Sequence, residues 1–309
     1  MIAEKFIDRF ARNSGIKDKF IAEREVVLTY ALRVLHGSDV MKHLAFKGGT
    51  ALRKLVFGSS GRFSMDLDLT LCAAKTESDE VLQSVLEAFN RQHHGITFKS
   101  DEFYVTDEDT SFGGDIQYKH AWNSAGMFKL QISLREVPTL PVLPTAMLPQ
   151  EYFKEMEFEP FDIRAVATIE MIAEKIRAAF QRSKVRDLYD LNRFAATPFN
   201  ADLLRGLVVL KLWQSKDPFD PDVFFKKLRG ANYDWEDLHR LIRISEKTVP
   251  EDIIASVEKR YMPLKHLTEL ELQVIADSKS GRNTPLANQL RKQIMELIEN
   301  EPQKGAKRL

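Results

Sequence analysis

Residues 62–72 form an alternating run in which polar side chains fall between a methionine and three leucines. A period of two is typical of a half-buried β-strand, because successive side chains point to opposite faces. The run therefore predicts a strand that buries its apolar residues and presents Ser64, Asp66, Asp68 and Thr70 on the other face. A chain with such a strand has to form a sheet in which one face is buried and the other carries polar side chains.

Asp66 and Asp68 are the candidate metal ligands. Two residues apart on a strand, their Cα atoms lie about 6–7 Å from each other. Carboxylates this close repel unless a cation lies between them, and oxygen ligands are the ones that Mg²⁺ prefers. A solvated strand face is the simpler alternative. We favour the metal site because strands disfavour aspartate, and here two share one face.

A glycine turn, Gly48-Gly49-Thr50, precedes this strand. We predict a short strand over 43–46 before the turn and a helix over 50–57 after it. Backbone N–H groups at the start of a helix bind phosphate readily. A plain strand-to-helix turn with Thr50 as the N-cap is compatible with the same residues. The G-x-x-x-x-G-K-[ST] spacing of a P-loop is absent. Metal ligands beside a phosphate-binding turn suggest phosphoryl or nucleotidyl transfer.

Length and composition set broad limits. A chain of 309 residues exceeds the usual size of one hydrophobic core, so we expect two domains. Lys plus Arg and Asp plus Glu number 45 each, so attraction for nucleic acid has to come from local patches. Cys72 is the only cysteine, which excludes an internal disulfide. With no apolar run long enough to span a membrane, we expect a cytoplasmic protein.

We predict an α/β (α+β) domain with a mixed sheet over residues 1–137, a proline-rich linker over 138–150 and an all-helical domain over 151–309. Four prolines punctuate the predicted linker and exclude a helix there. Strands are predicted over 112–122 and 127–136, joined by a hairpin turn.

The predicted helical domain begins with a basic segment. Between residues 175 and 186 five residues are basic and none is acidic, namely Lys175, Arg177, Arg182, Lys184 and Arg186. Lys175 lies beside the apolar stripe of a helix predicted over 168–182, so we expect it to be partly buried. The other four suit an RNA backbone, and a solvated basic helix face is the simpler alternative.

Asp187 and Asp190 follow, three residues apart on one face of a helix. Ion pairing with Arg186 and Arg193 would account for them without any catalytic role. A contribution to a charged site is the second interpretation, and the sequence pattern alone leaves both open.

Four segments occur in the order found in one family of toxins. They are Gly48-Gly49-Thr50-Ala51-Leu52-Arg53-Lys54, Arg62-Phe63-Ser64-Met65-Asp66-Leu67-Asp68-Leu69, Glu174-Lys175 and Arg186-Asp187-Leu188-Tyr189-Asp190. The series resembles the motif pattern of the AbiEii/AbiGii toxin family, which includes the mycobacterial MenT toxins. Those proteins are nucleotidyltransferases of the DNA polymerase β superfold. The resemblance spans about residues 40–195.

The resemblance implies a role for each matching residue. Contacts to the nucleotide are implied for Gly48, Gly49, Thr50, Arg62, Ser64 and Lys175. The implied catalytic residues are Asp66, Asp68, Lys175 and Asp187, with Asp66 and Asp68 holding Mg²⁺ and a nucleoside triphosphate lying in the cleft between the domains. Ser64 also matches a serine that is a target for inactivating phosphorylation in some relatives.

A third carboxylate is expected on a neighbouring strand in enzymes of this superfold. The corresponding strand here, residues 128–134, offers Gln131 instead. Either Asp187 or Asp115 takes over that role, or a second metal is weakly held.

From the resemblance we expect a toxin that transfers a nucleoside monophosphate to an RNA 3′ end, with the tRNA acceptor stem as the substrate and a cognate antitoxin as the partner. Two alternatives stay open. One is a phosphotransferase or nucleotidyltransferase acting on a protein or small molecule, and the other is a non-catalytic RNA- or protein-binding module. A zinc site on His93 and His94 is disfavoured, because adjacent side chains diverge on a strand or a helix.

Overall fold

The computed structural model describes residues 2–72, 78–105, 111–134, 137–280 and 282–300. The chain divides into two compact units. The first comprises Met1–Val166 and Leu238–Glu246, and the second comprises Ala167–Asp237 and Lys247–Leu309.

The first unit combines helices with a sheet. Its helices are α1 (Glu4–Ser14), α2 (Lys19–His36), α3 (Gly48–Ala51) and α4 (Ser78–Phe89), and α3 continues as a π-helical turn over Leu52–Phe57. Its strands are β1 (Leu44–Lys47), β2 (Asp66–Leu71), β3 (Gln92–His93), β4 (Ile96–Val105), β5 (Ser111–Lys119), β6 (Gly126–Ser133), β7 (Leu143–Ala146) and β8 (Asp162–Ala165).

These strands form one sheet in the order β3-β4-β5-β6-β2-β1-β8-β7. The central pairs differ in direction, since β2 runs antiparallel to β1 and parallel to β6. The outer pairs, β4 with β5 and β7 with β8, are antiparallel. The predicted mixed sheet is therefore confirmed.

Side-chain burial follows the alternation of the sequence in the central strands. In β2, Leu67 and Leu69 are fully buried while Asp66 and Asp68 are partly exposed. The same period appears in β6, where buried and exposed residues alternate strictly until Ile132. One face of the sheet is thus apolar, and the other carries polar residues along β2 and β6. The end of the predicted strand 127–136 lies outside the described residues.

The structure differs from the predicted linker over 138–150. Residues Leu143–Ala146 form β7 and pair with β8, and both strands belong to the first unit. A proline fits here because β7 is the edge strand of the sheet. On the outer side of an edge strand, the missing N–H of proline does not remove a hydrogen bond between strands. The boundary between the units falls after Val166.

The apolar pattern of residues 234–247 predicts one helix, but the helix that forms there, α9 (Trp235–His239), is shorter. Residues 238–246 join the first unit. There Phe63 donates its N–H to the Leu241 carbonyl over 2.7 Å, and Ile244 donates to the Gly15 carbonyl over 2.8 Å. Backbone groups used in these loop contacts are not available to continue a helix.

The second unit is helical throughout its described elements. Its helices are α5 (Thr168–Gln181), α6 (Val185–Ala195), α7 (Ala201–Gln214), α8 (Pro221–Gly230), α9 (Trp235–His239), α10 (Pro250–Tyr261), α11 (Glu269–Asp277) and α12 (Thr284–Glu299). Helix α7 is buried along most of its length. No helix in the described part of the chain has the length and apolarity needed to cross a lipid bilayer.

A buried polar cluster ties α2 to the segment that follows α3. The Lys54 ammonium lies 3.2 Å from a Glu25 carboxylate oxygen and donates to Thr29 Oγ1 over 2.8 Å. It also donates to the Tyr152 hydroxyl over 3.1 Å, and Arg53 Nε lies 3.6 Å from Glu25. All five side chains are buried.

Burial alone would raise the pKa of Glu25, but the Lys54 and Arg53 cations outweigh it and lower that pKa. The carboxylate is therefore charged. A charge in this position is tolerated only while its cations are present.

We expect Lys54→Met to destabilise the first unit by about 3 kcal/mol, because the buried Glu25 would lose its main cationic partner. The measurement is the urea midpoint of the variant. Lys42→Met, at an exposed lysine of the same unit, is the matched control. Equal urea midpoints for Lys54→Met and Lys42→Met would contradict the expectation that the Glu25–Lys54 ion pair stabilises the first unit.

Candidate active site

The glycine turn lies directly against the carboxylate of Asp68. Strand β1 ends at Lys47, and Gly48 begins α3 with a φ of +79°. A Cβ atom at Gly48 would lie 2.1 Å from Asp68 Oδ2. Both the left-handed backbone and the space therefore require glycine here. The first of the predicted phosphate-binding residues is thus in contact with one of the predicted metal ligands.

Gly49 is enclosed from the other side. A Cβ atom at this position would lie 2.7 Å from Arg62 Nη2 and 3.1 Å from Ser64 Oγ. Both side chains are buried, and Arg62 also donates to the Phe63 carbonyl over 3.1 Å. The structure therefore brings Arg62 and Ser64 to the glycine turn.

Thr50 fastens this turn to the strand of the aspartates. Its side chain is fully buried, and its hydroxyl donates to the backbone carbonyl of Asp66. The N-cap position of α3 is Lys47, so Thr50 is not the helix cap. A hydroxyl used in this way holds β2 in place and does not point to solvent.

The register of the sheet shows what surrounds the aspartates. Gln131 of β6 lies opposite Asp68, and Lys129 lies opposite Asp66. On the next strand Asp115 lies opposite Lys129, two strands from Asp66 and so about 10 Å away by the usual strand spacing. The face thus carries a row of acid, lysine and acid.

Within the described residues no group of three or more His, Cys, Asp or Glu side chains is arranged to hold a metal ion. The aspartate pair therefore stands without a third carboxylate beside it. Lys129 was missed by sequence reasoning. The alternation of β6 would have placed it on the same face as Gln131, two residues earlier.

In the second unit, Lys175 is the centre of an ion-pair cluster. Its ammonium lies 2.9 Å from Asp187 Oδ1 and 3.0 Å from Asp190 Oδ2. Arg182 Nε contacts the other oxygen of Asp187 over 2.9 Å. Only 13% of the Lys175 side chain is exposed, which matches its expected partial burial.

Burial alone would raise the pKa of Asp187, but Lys175 and Arg182 outweigh it and lower that pKa to about 2. Asp187 is therefore charged at any ordinary pH. Its partners are Lys175 and Arg182, whereas the sequence suggested Arg186.

The basic segment is not one helix. Helix α5 ends at Gln181 and α6 begins at Val185, so the segment bends between them. Arg186 pairs with Asp237 over 2.7 Å, and Arg177 donates to Ser215 Oγ over 3.5 Å. Lys184 is exposed, as is more than half of the Arg182 side chain.

A sequence model of the family described as nucleotidyl transferase AbiEii toxin, type IV toxin–antitoxin system, matches residues 31–232. This span is more than half of the chain. The chain belongs to this family. It is therefore a nucleotidyltransferase toxin that takes a nucleoside triphosphate and has an antitoxin as its partner.

The AbiEii assignment agrees with the fold. Among solved structures, MenT4, a nucleotidyltransferase toxin from Mycobacterium tuberculosis H37Rv, matches with a TM-score of 0.79 and 24% sequence identity. The match covers 94% of this chain and 98% of that one. No curated protein matches the chain.

We expect Gly48→Ala to abolish nucleotidyl transfer and to destabilise the first unit by about 1–2 kcal/mol, because an L-residue is strained at this φ. The added methyl group would also displace the Asp68 carboxylate. Transfer of labelled nucleotide and the urea midpoint are the two measurements. Gly230→Ala is the matched control, since nothing lies within 4 Å of a Cβ there. Full activity in Gly48→Ala would contradict the contact with Asp68.

The low pKa of Asp187 predicts a dependence of stability on pH. A carboxyl group whose pKa falls from 3.8 to about 2 on folding stabilises the folded state fully when the pH is above its ordinary pKa. That contribution, about 2 kcal/mol, is lost as the pH falls through the folded pKa. Asp187→Asn should therefore flatten the loss of stability between about pH 4 and pH 2. Urea unfolding across this range measures it, with the exposed Asp252→Asn as the control. An unchanged slope would contradict the ion-pair cluster.

Proposed function

We propose that this toxin transfers a nucleoside monophosphate from a nucleoside triphosphate to the 3′ end of an RNA, with the tRNA acceptor stem as its substrate. The modification would block aminoacylation and arrest growth. The observation that carries the proposal is the packing of Asp68 against the Gly48 turn. It puts a metal-binding type of side chain beside a phosphate-binding type of backbone.

The residues present fit Mg²⁺. Mg²⁺ is commonly held by one or two carboxylates, with waters and substrate phosphates completing its shell. Asp66 and Asp68 supply two hard oxygen ligands on one strand face, and the absent Cβ of Gly48 lets the Asp68 carboxylate lie against the glycine turn. When bound, the ion would neutralise charge on the triphosphate and orient its phosphates.

The chain itself contributes positioning and charge. Backbone N–H groups at the start of α3 would hold the phosphates, with Arg62 and Ser64 supporting the turn from behind. The RNA 3′ hydroxyl oxygen attacks the α-phosphorus while the bond to the β-phosphate oxygen breaks, and pyrophosphate leaves. Fixing these groups in line supplies much of the catalysis.

The hydroxyl proton needs an acceptor during this attack. Gln131, opposite Asp68, is an amide and a poor base. Asp115 is the candidate acid within the first unit, on the polar face in line with Asp66 and Lys129 and about 10 Å from Asp66 by the usual strand spacing. Asp187 is the alternative drawn from the family resemblance.

For the helical unit we propose the roles that the family resemblance implies. The family pattern assigns Lys175 to the triphosphate and Asp187 to the completion of the site. For the RNA backbone, Arg182 and Lys184 are better suited than Arg177 and Arg186. The first two are largely exposed, although Arg182 also pairs with Asp187, whereas Arg177 and Arg186 are only partly exposed. Salt-sensitive RNA binding would follow.

Inactivation by phosphorylation of Ser64 is proposed for the antitoxin's action. The Ser64 side chain is buried beside Gly49, so a modifying enzyme would need the loop before β2 to open. A phosphate added there would occupy the space of the glycine turn and compete with nucleotide.

The test incubates the protein with total RNA and each α-³²P nucleoside triphosphate in turn, followed by sequencing of RNA 3′ ends. Asp66→Asn and Asp68→Asn should each lower transfer by roughly 10³-fold, because each removes a carboxylate ligand of the cation that would neutralise the developing negative charge. Asp115→Asn should lose as much if it is the third acid. Asp39→Asn, at an exposed aspartate of the same unit, should behave as wild type.

Other outcomes separate the alternatives. Label transferred from γ-³²P but not α-³²P nucleotide would identify a phosphotransferase. Label found on protein or a small molecule would replace RNA as the acceptor. RNA binding without any transfer would make the chain a binding module. Undiminished transfer by Asp66→Asn would end the proposed mechanism.

A further inference from the structure

A second concave site lies in the first unit, away from the glycine turn along the chain. The end of α2, the end of α4 and the β3–β4 hairpin enclose a cavity of about 240 Å³. Its polar lining consists of four basic side chains and a short loop, namely Arg33, Arg91, His93, His94, Gly37 and Ser38. Gly37 and Ser38 come before β1, whereas the glycine turn follows it.

The cavity lining carries positive charge, from Arg33 and Arg91. None of the described residues that line it is acidic, although the chain as a whole is neutral. Burial lowers the pKa of His94, and the neighbouring His93 and Arg33 lower it further, which favours a neutral ring that can still donate a hydrogen bond. The positive charge of the cavity therefore comes from the two arginines, whose guanidinium groups are suited to bind an anion.

The hairpin that carries the histidines is conformationally costly. The register pairs His93 with Ile96, so His94 and Gly95 form a two-residue loop. Both have positive φ, +48° for His94 and +78° for Gly95. Asparagine, aspartate or glycine is favoured at the first position of such a turn. A histidine kept there at some cost in backbone energy is more common at functional positions.

Aromatic rings contact two of the side chains that line the cavity. The His94 ring lies 5.2 Å from that of Phe158 and 5.9 Å from that of Tyr30. The Arg33 guanidinium lies over Phe158 at 5.7 Å and over Phe161 at 5.6 Å. Basic groups beside aromatic faces are the combination that binds nucleotides without reading their sequence.

We propose that this cavity is a non-catalytic binding site for the phosphate of a nucleotide unit. The phosphate lies between Arg33, Arg91 and the two histidines, and the attached nucleoside packs against Phe158. An RNA backbone and a free mononucleotide share this chemistry. This binding site is separate from the proposed transfer reaction. A phosphate can bind in the cavity whether or not the residues at the glycine turn catalyse nucleotidyl transfer.

The test is calorimetric titration in Mg²⁺-free buffer containing EDTA, which suppresses metal-dependent binding at the aspartates. The probes are inorganic phosphate, AMP and a short single-stranded oligoribonucleotide. Arg33→Gln/Arg91→Gln should weaken phosphate and AMP by about tenfold or more, since two charge-assisted hydrogen bonds are lost. The control is Arg12→Gln/Lys17→Gln, which removes the same charge from exposed positions of the same unit.

Two further variants test the site in case the double variant fails to fold. Arg91 is exposed, so Arg91→Gln alone should fold and show part of the loss. His94→Asn suits the left-handed backbone and removes only the ring, so it should weaken AMP more than phosphate.

The three probes separate the sources. Tighter binding of the oligoribonucleotide than of AMP, lost in the double variant, identifies an RNA backbone as the occupant. Equal or tighter binding of AMP identifies a free nucleotide. Phosphate and AMP bound as tightly by Arg33→Gln/Arg91→Gln as by the control pair would overturn the proposal. Because no transfer is measured, this outcome is independent of the test of Asp66 and Asp68.

Discussion

The buried ion pair of Glu25 and Lys54 fixes the segment on which the candidate active site is built. The glycine turn is itself part of a regular helix of only four residues, which is followed by a π-helical turn. So short a helix is unstable alone, and its position comes from tertiary contacts. Lys54 anchors the far end to α2, and Arg53 donates to the Gly61 carbonyl over 2.6 Å. The turn and the loop before β2 are therefore held by one cluster.

At the glycine turn itself, close packing is possible because two residues lack side chains. Gly48 and Gly49 let Asp68, Arg62 and Ser64 approach the backbone more closely than any Cβ would allow. Thr50 then ties the same turn to Asp66 through its hydroxyl. The motif is thus a contact surface between two strands and a helix start. Each of its residue types is required by space or by a hydrogen bond before any ligand is considered.

Local patterns predicted what depends on local physics. Alternation located β2 and its polar face, and the glycine turn located the start of α3, because both follow from neighbours in sequence. The buried Glu25 escaped prediction, since its partners Lys54 and Tyr152 are distant in the chain. The same holds for β7, where the edge position of the strand overrides the signal of its proline. Gln131 was recognised as the residue beside the aspartates, but Lys129 needed the sheet register.

The two charged clusters outside the aspartate pair differ in their balance. Around Lys175, two carboxylates contact the ammonium and Arg182 contacts one of them, so this positive charge already has carboxylate partners. A phosphate arriving there has to compete with Asp187, which holds its negative charge down to about pH 2. The described residues that line the Arg33 cavity include no acidic side chain. Charge already compensated resists an anion, whereas uncompensated charge attracts one. On this ground the Arg33 cavity is better prepared to hold a phosphate than the Lys175 cluster.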